Sequence, residues 1–189
     1  MFYFFIAITW VEGNTSVDNV VKNVSIITGI TNKSVPIYKG MDGAIVAEKS
    51  DASAYHGGDG FGNSQEKWLH AANKENIQEE HAVNAIIKHV NEEVEKGNTV
   101  GVFTIGPMTN LAMAIRLSPE IISKLSSVYV MGGTVNGFGN MTLSGEFNFI
   151  SDPEAAKICF DSFKKTYLLP WETAYNFIVT KEGMKIFTD

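Results

Sequence analysis

MGGTVNGFGNMTLSGEFNFISDP, residues 131–153, directly follows the apolar residues Val128, Tyr129 and Val130. An apolar run of this kind, rich in β-branched and aromatic residues, predicts a buried strand. The glycines that follow it allow positive φ angles or a close approach of the backbone to a ligand. This stretch therefore predicts the carboxyl end of a strand and, after it, a long polar loop at the lip of a binding site.

Three polar side chains of this loop, Asn140, Glu146 and Asn148, suit a ligand with several hydroxyl groups, such as a sugar. An Asn amide both donates and accepts hydrogen bonds, and a carboxylate accepts them from hydroxyls. A phosphate is not favoured, because the segment between Leu125 and Lys157 contains no Lys or Arg. The alternative is that these side chains only cap the turns of their own loop.

Strand and helix patterns alternate along the rest of the chain. Period-two or continuous apolar runs predict strands over residues 1–11, 35–38, 99–105, 127–131 and 166–169. Helical spacing and caps predict helices over residues 16–30, 78–96, 111–116 and 153–163, a short helical piece from 121, and helical spacing from 176 onward. Residues 41–67 are too rich in glycine for a regular element. The pattern predicts an α/β fold: one three-layer α/β/α domain over residues 1–189 with a mostly parallel central sheet.

Ligand sites of such sheets lie beyond the carboxyl ends of the strands. Four loops leave predicted strand ends, and we expect them to meet at one rim: residues 13–14, 105–107, 132–148 and 171–172.

Composition restricts the classes of partner. The chain has 189 residues, 44% of them hydrophobic and 19% charged, which is typical of a globular protein. Its net charge of −6 argues against a nucleic-acid partner. The apolar start, about eleven residues, is shorter than the roughly 20 needed to cross a bilayer, so we expect no membrane span and a cytoplasmic protein. The single cysteine, Cys159, excludes an internal disulfide, and its apolar helix face favours a buried, inert thiol.

Four motifs together carry a family resemblance. They are GNMTLSGEFNFISDPEAA at 139–156, IGPMTNLAMA at 105–114, EGN at 12–14 and HGGDGFGN at 56–63. In this order they resemble the inosine-uridine preferring nucleoside hydrolases, and the resemblance extends from Ile6 to about Trp171. It implies a hydrolase that cleaves the N-glycosidic bond of ribonucleosides to ribose and free base.

The resemblance also implies roles for individual residues. Asn14 matches an Asn that hydrogen-bonds the ribose, and the sugar hydroxyls are contacted by residues matching Asn140, Glu146 and Asn148. His56 matches a His near the base. The carbonyl oxygen of Ile105 matches a backbone ligand of the family's calcium ion, which holds the ribose diol and the attacking water. The partner implied is a small-molecule nucleoside.

Two parts of the family pattern have no counterpart in this sequence. The aspartate motif at the end of the family's first strand and the C-terminal His-Asp pair are unmatched, since no Asp precedes Asp18 and no His follows His89. No general-base aspartate is identified, and we expect calcium to bind weakly or not at all. Three interpretations follow: a nucleoside hydrolase-like enzyme, an inactive relative that binds a nucleoside or scaffolds a partner, or a fragment of a longer active enzyme.

Two further expectations concern structure. Asp59 lies among glycines, which favours a turn residue over a catalytic base. In the family a strand precedes the one matched by residues 6–11, so we expect an exposed sheet edge there that promotes dimers or other homo-oligomers.

Overall fold

The computed structural model describes residues 4–50 and 52–177. In those ranges the strands are β1 (Ile8–Trp10), β2 (Ile37–Lys39), β3 (Ile77–Gln78), β4 (Val100–Thr104), β5 (Leu125–Met131) and β6 (Thr166–Leu169). The helices are α1 (Val17–Ile30), α2 (Ser53–His56), α3 (Gln65–Trp68), α4 (Ala82–Glu95), α5 (Thr109–Leu117), α6 (Ile121–Lys124), α7 (Phe147–Ser151), α8 (Pro153–Ser162) and α9 (Trp171–Asn176). Two 3₁₀ turns, Leu69–Ala71 and Lys74–Asn76, precede β3.

Every strand pair in the described part of the chain is parallel, so the predicted α/β class is confirmed. The hydrogen-bonded strands form two three-stranded sheets, in the orders β1-β2-β3 and β4-β5-β6, where the sequence predicted one central sheet. Helix α4 packs against β1, β2 and β4, and thereby connects the two sheets. The largest core cluster lies between the second sheet and helices α4, α5, α6 and α8.

The amide of Asn110, at the start of α5, connects the two halves of the fold. Its Nδ2 donates to the carbonyl oxygen of Trp10 at 2.7 Å, and its Oδ1 accepts from the backbone N–H of Met41 at 2.9 Å. Trp10 ends β1, and Met41 follows β2. The carboxyl ends of β1 and β2 are thus fixed to α5, the helix that follows β4. The carbonyl oxygen of Trp10, the last residue of β1, has its hydrogen-bond partner in α5 and not in its own sheet.

Helix starts agree with the caps found in the sequence. Ser16 Oγ accepts from the backbone N–H of Asn19 at the start of α1. Asp152 accepts from the N–H of Ala155 at the start of α8, where Pro153 occupies the first helical position. Pro is tolerated there because that N–H would lack an intrahelical partner anyway.

Several predicted elements differ from the structure. Strand β1 covers Ile8–Trp10 among described residues, shorter than the predicted 1–11. The predicted helix 78–96 begins instead at Ala82, because Ile77 and Gln78 pair with β2. The glycine-rich segment 41–67 contains two one-turn helices, and the central polar loop contains α7. The helical spacing predicted from 176 onward lies almost wholly outside the described residues.

No helix in the described part of the chain is long and apolar enough to cross a membrane.

Candidate functional site

Glu146 is the N-cap of α7 and the most connected side chain of the loop that follows β5. Its Oε2 accepts from the backbone N–H of Gly133 at 2.8 Å and of Phe149 at 3.2 Å, and its Oε1 accepts from the N–H of Asn148 at 3.0 Å. The residue is only 2% exposed. A buried carboxylate costs free energy unless hydrogen bonds satisfy it, and here three backbone donors do so. Glu146 therefore fixes the start of α7 against the end of β5.

The glycines after β5 are required by this arrangement. Gly133 has a φ of +67°, which favours glycine, and a Cβ on it would lie 2.9 Å from the ring of Phe149. A side chain at this position would displace the ring or the backbone N–H that Glu146 binds. The close approach predicted for this glycine is thus made to the protein's own α7.

Asn140 and Asn148 bind the backbone of the same loop. Asn140 Oδ1 accepts from the N–H of Phe147 at 2.8 Å, and Asn148 Nδ2 donates to the carbonyl oxygen of Met131 at 3.1 Å. With Glu146, they form a connected set at the carboxyl end of β5. The sequence left two interpretations of these side chains, ligand binding and turn capping. Both can hold, because each amide uses only one of its two polar ends in these contacts and the other end can bind a ligand.

A second carboxylate, Glu172, holds the other side of the loop. It accepts from the N–H groups of Val135 at 3.0 Å and Asn136 at 2.8 Å. The N–H of Trp171 donates to the carbonyl oxygen of Gly133 at 2.9 Å. Two of the four loops predicted to share a rim, 132–148 and 171–172, are thereby in direct contact.

The other two predicted loops also meet. A Cβ on Gly13 would lie 3.2 Å from Cδ of Pro107, so the loop after β1 packs on the loop after β4. Asn14 is exposed, and its side chain makes no hydrogen bond to the described residues. Because β4 and β5 are adjacent, both loop pairs lie at the same edge of the second sheet.

His56 ends α2 and is partly exposed. Its carbonyl oxygen accepts from the N–H of Gly62 at 2.8 Å. The loop that begins at His56 is held to the start of α1 by Asn19, because Asn19 Nδ2 donates to the carbonyl oxygen of Gly58 at 3.1 Å. The loop containing His56 is therefore attached to the helix that follows Asn14. A contact between His56 and a base stays a prediction.

The described residues do not supply the ligands that calcium needs. Calcium takes six to eight oxygen ligands, mostly carboxylates and carbonyls. Residue Ile105 is 82% exposed, and the described part of the chain contains no group of three or more acidic, His or Cys side chains suited to a metal. Glu12 lies near Pro107 in a small cavity, but its Oε1 pairs with Lys49 Nζ at 3.0 Å. The residues present do not fit the ion.

Asp59 is a turn residue, as predicted. Its carboxylate accepts from the N–H groups of Gln65 at 2.9 Å, Phe61 at 2.7 Å and Asn63 at 2.8 Å. These hydrogen bonds, that of Gln65 first, hold the pKa of Asp59 below its ordinary value of 3.8. A carboxylate stabilised in this way is a weaker base, so its environment does not suit a general base.

The predicted burial of Cys159 is confirmed. Burial raises the pKa of the Cys159 thiol to about 12, which makes it inert. His89 on α4 lies 2.8 Å from the hydroxyl of Tyr38 and has a structural role.

Comparison with known proteins shows the family of this chain. The family model described as inosine-uridine preferring nucleoside hydrolase matches residues 4–188. The chain belongs to this family. A curated member from Crithidia fasciculata, named inosine-uridine preferring nucleoside hydrolase, is 38% identical over 157 residues, which are 82% of this chain and 48% of that protein.

Two further relatives place the fold in the same family. A pyrimidine-specific ribonucleoside hydrolase, RihB of Escherichia coli O157:H7, is 32% identical over 83% of this chain and 48% of its own length. The solved purine-preferring ribonucleoside hydrolase from Gardnerella vaginalis superposes with a TM-score of 0.84 at 26% identity, over 97% of this chain and 58% of that one. The chain spans about half the length of the curated relatives it matches.

The sequence did not reveal the role of Glu172. The residue was assigned to the rim by its position after a strand, but its contacts with Val135 and Asn136 cross 36 or 37 residues. A single sequence shows no local pattern for such a pair. In the structure Glu172 is the acidic residue in the first turn of α9, a position that the helix dipole alone could explain.

Replacement of Glu146 by Ala should lower the free energy of unfolding by about 2–4 kcal/mol, because three backbone N–H groups lose a buried, charged acceptor. Urea denaturation measures the change. Glu95→Ala, at an exposed position in α4, is the matched control and should change stability by less than about 0.5 kcal/mol. Equal effects of the two substitutions would show that the Glu146 contacts contribute little.

Proposed function

We propose that this chain serves the hydrolysis of ribonucleosides at their N-glycosidic bond and supplies the ribose-binding part of the site. The observation that supports this most directly is the set of Asn140, Glu146 and Asn148 at the carboxyl end of β5, held by hydrogen bonds to the backbone. Family membership supports the reaction class, and the activity of the longer relatives is extended to this chain as part of the proposal.

The polar groups left over in this set suit a ribose. Asn148 uses its Nδ2 in binding Met131, which leaves Oδ1 to accept from a hydroxyl. Asn140 uses its Oδ1, which leaves the NH₂ group to donate. A diol donates and accepts at each hydroxyl, so this pair complements it without any charged partner. Because their backbone contacts hold both side chains, little conformational entropy is lost on binding.

Asn14 complements this set from the neighbouring loop. Its side chain is exposed and makes no hydrogen bond to the described residues, and the packing of Gly13 beside Pro107 holds its loop at the same edge of the sheet. We propose that Asn14 hydrogen-bonds the ribose and that His56, on the adjacent loop, lies near the base. The chain would then bind the nucleoside from both sides.

Chemistry at the bond requires groups that the described residues do not provide. The family uses calcium, which lowers the pKa of its bound water, and an aspartate that accepts the proton of that water. Here the carbonyl oxygen of Ile105 is the one matched ligand, Glu12 is paired with Lys49, and Asp59 is committed to backbone N–H groups. We therefore propose that the remaining ligands and the base come from outside residues 4–50 and 52–177.

The remaining expectations about partners stay predictions. The negative net charge predicts no binding of nucleic acid. A single nucleoside hydrolase-like domain over residues 1–189 and a cytoplasmic location are proposed on the sequence alone. Base preference is not assigned, since the relatives include proteins named for purine and for pyrimidine preference.

Inosine should bind this chain without added calcium, and 2′,3′-dideoxyinosine should bind much more weakly because it lacks the diol. Asn14→Ala should weaken the binding of inosine about three- to tenfold, the effect of one lost hydrogen bond, with no change in stability. Isothermal titration calorimetry measures both. Asn84→Ala, on the exposed face of α4, is the matched control. Equal binding of the two nucleosides, or equal effects of the two substitutions, would contradict the proposed ribose site.

The 189-residue chain alone should not cleave inosine or uridine at a measurable rate, with or without added calcium. A general base contributes about 10² to 10⁴ in rate and a metal several kcal/mol, so the loss of both costs at least roughly 10⁴ to 10⁶. Release of ribose over hours at high protein concentration is the assay. Activity should appear only when segments bearing the family's aspartate motif and His-Asp pair are supplied. Calcium-dependent turnover by the chain alone, reduced by Asn14→Ala, would show that the described carboxylates complete the site.

A further inference from the structure

Asn136 and Gly137 form the one Asn-Gly pair of the sequence, and they lie in the loop that follows β5. Both residues are exposed. Gly137 has a φ of +76°, and a Cβ built on it would meet no heavy atom within 4 Å. Neither the side-chain amide of Asn136 nor the N–H of Gly137 makes a hydrogen bond to the described residues. The pair is therefore uncovered, and its two reactive groups are not engaged elsewhere.

An Asn side chain can react with the backbone nitrogen of the residue that follows it. A side chain on that next residue hinders the approach of the nitrogen to the Asn Cγ, and glycine has none. Every other Asn of this sequence is followed by a residue with a side chain. Asn136 is thus the position where this reaction meets the least steric hindrance.

We propose that Asn136 is a site of spontaneous covalent modification that weakens the attachment of its loop to α9. The Gly137 nitrogen loses its proton to hydroxide and bonds to Asn136 Cγ, while the bond from Cγ to the side-chain nitrogen breaks and ammonia leaves. The product is a cyclic succinimide. Water then opens this ring at either carbonyl and gives aspartate or isoaspartate. The only co-reactant is water, and each product carries a carboxylate where Asn136 was neutral.

The new charge arises beside the carboxylate that holds the loop. Glu172 Oε1 accepts from the backbone N–H of Asn136 at 2.8 Å and of Val135 at 3.0 Å. The product carboxylate is attached to Cα or Cβ of residue 136, within a few bonds of the N–H that Glu172 binds. Two negative charges this close repel each other, which weakens both hydrogen bonds. The loop that carries Asn140 therefore keeps these contacts with α9 only while residue 136 is neutral.

The surroundings of other candidate positions protect them from the same reaction. Asn63 is also exposed, but Ser64 follows it, and its Oδ1 accepts from the N–H of Gly58 at 2.9 Å. Asp59 precedes a glycine, but its carboxylate is bound by three backbone N–H groups. The structure therefore predicts modification that is selective for Asn136. This inference is independent of the proposed nucleoside site.

Peptide mapping by mass spectrometry, after the 189-residue chain has aged in mildly alkaline buffer, tests the chemistry. The mass at residue 136 should rise by about one dalton, because OH replaces NH₂, and the peptide should separate into an aspartate and an isoaspartate form. Ammonia should be released in equal amount, and the reaction should be slower in mildly acidic buffer. Residue Asn63 should stay unchanged. Asn136→Gln should abolish the product, since its longer side chain would have to close a larger ring.

Hydrogen exchange at the Val135 amide, measured by NMR, tests the effect on the loop. Exchange should be slow in the fresh chain and about three- to tenfold faster in the aged chain and in Asn136→Asp, which introduces the charge without ageing. Added salt should reverse part of this change, because it screens exposed charges. Asn136→Gln is the matched neutral control and should keep the slow exchange. The amide of Phe149, held by Glu146, should stay slow in every form.

Each alternative result decides against the proposal. An unmodified Asn136 after ageing, or modification of Asn63 at the same rate, would overturn the assignment of the site. Slow exchange at Val135 in Asn136→Asp would overturn the proposed effect on the loop. Fast exchange at Phe149 as well would contradict a local effect, since it would mean that the charge disrupts the whole site.

Discussion

The carboxylate of Glu146, buried at the junction of β5 and α7, is the interaction on which the candidate site depends. It binds N–H groups from both sides of a long polar loop, those of Gly133 and of Asn148 and Phe149. If it were absent, α7 would lose its cap and the glycines after β5 would lose the contact that fixes their conformation. Asn140 binds the N–H of Phe147 at the start of the same helix, and Asn148 binds the carbonyl oxygen of Met131 at the end of β5. Glu146, which matches a residue that contacts the sugar in the family, thus also holds the loop of the candidate site together.

Two other buried polar side chains each connect several segments of the chain, as Glu146 does. Asp152 is fully buried, caps α8 and accepts from the hydroxyl of Thr109 at 2.6 Å and the N–H of Ile45 at 3.1 Å. Asn110 links the ends of β1 and β2 to α5. Both contacts lie at the carboxyl ends of the strands, where the loops of the site begin. Removing either partner of such a pair would leave a buried group unsatisfied, which costs about 1–3 kcal/mol each time.

The proposed roles of the described residues concern the binding of a nucleoside and not the cleavage of its bond. The groups proposed to orient a ribose are neutral amides and a carboxylate bound to the backbone, and their geometry needs no metal. The groups that would act on water and on developing charge are a metal ion and a free carboxylate, and the described residues do not provide them. Binding and orientation supply only part of a rate enhancement, so a pocket complete for recognition can still be inert.

Much of the fold could be predicted from the sequence because its signals are local. Apolar runs gave the strands β4, β5 and β6 nearly to the residue, and the caps Ser16 and Asp152 located two helices. Helix α7 was missed because five residues within a Gly- and Asn-rich loop show no periodicity. The division into two sheets and the contacts of Glu172 were missed for a different reason. They depend on residues far apart in the chain, which no local pattern encodes.

The candidate site, like the fold, could be predicted only in part from the sequence. The resemblance identified Asn140, Glu146 and Asn148 by their order and spacing, and the structure brings them together at one strand end. It did not indicate that all three bind backbone before any ligand is present. That property follows from the positive φ of Gly133 and the capping of α7, which are features of tertiary structure.

Amide hydrogen exchange in the ligand-free chain, measured by NMR, tests most directly whether the site is preformed. The amides of Gly133, Asn148 and Phe149 should exchange slowly, because their hydrogens are bound by the Glu146 carboxylate. The amide of Gly137, in the same loop but without such a bond, should exchange at nearly the rate of an unfolded chain. Equal, fast exchange at all four positions would contradict this account, since it would mean that the loop acquires its structure only when a ligand binds.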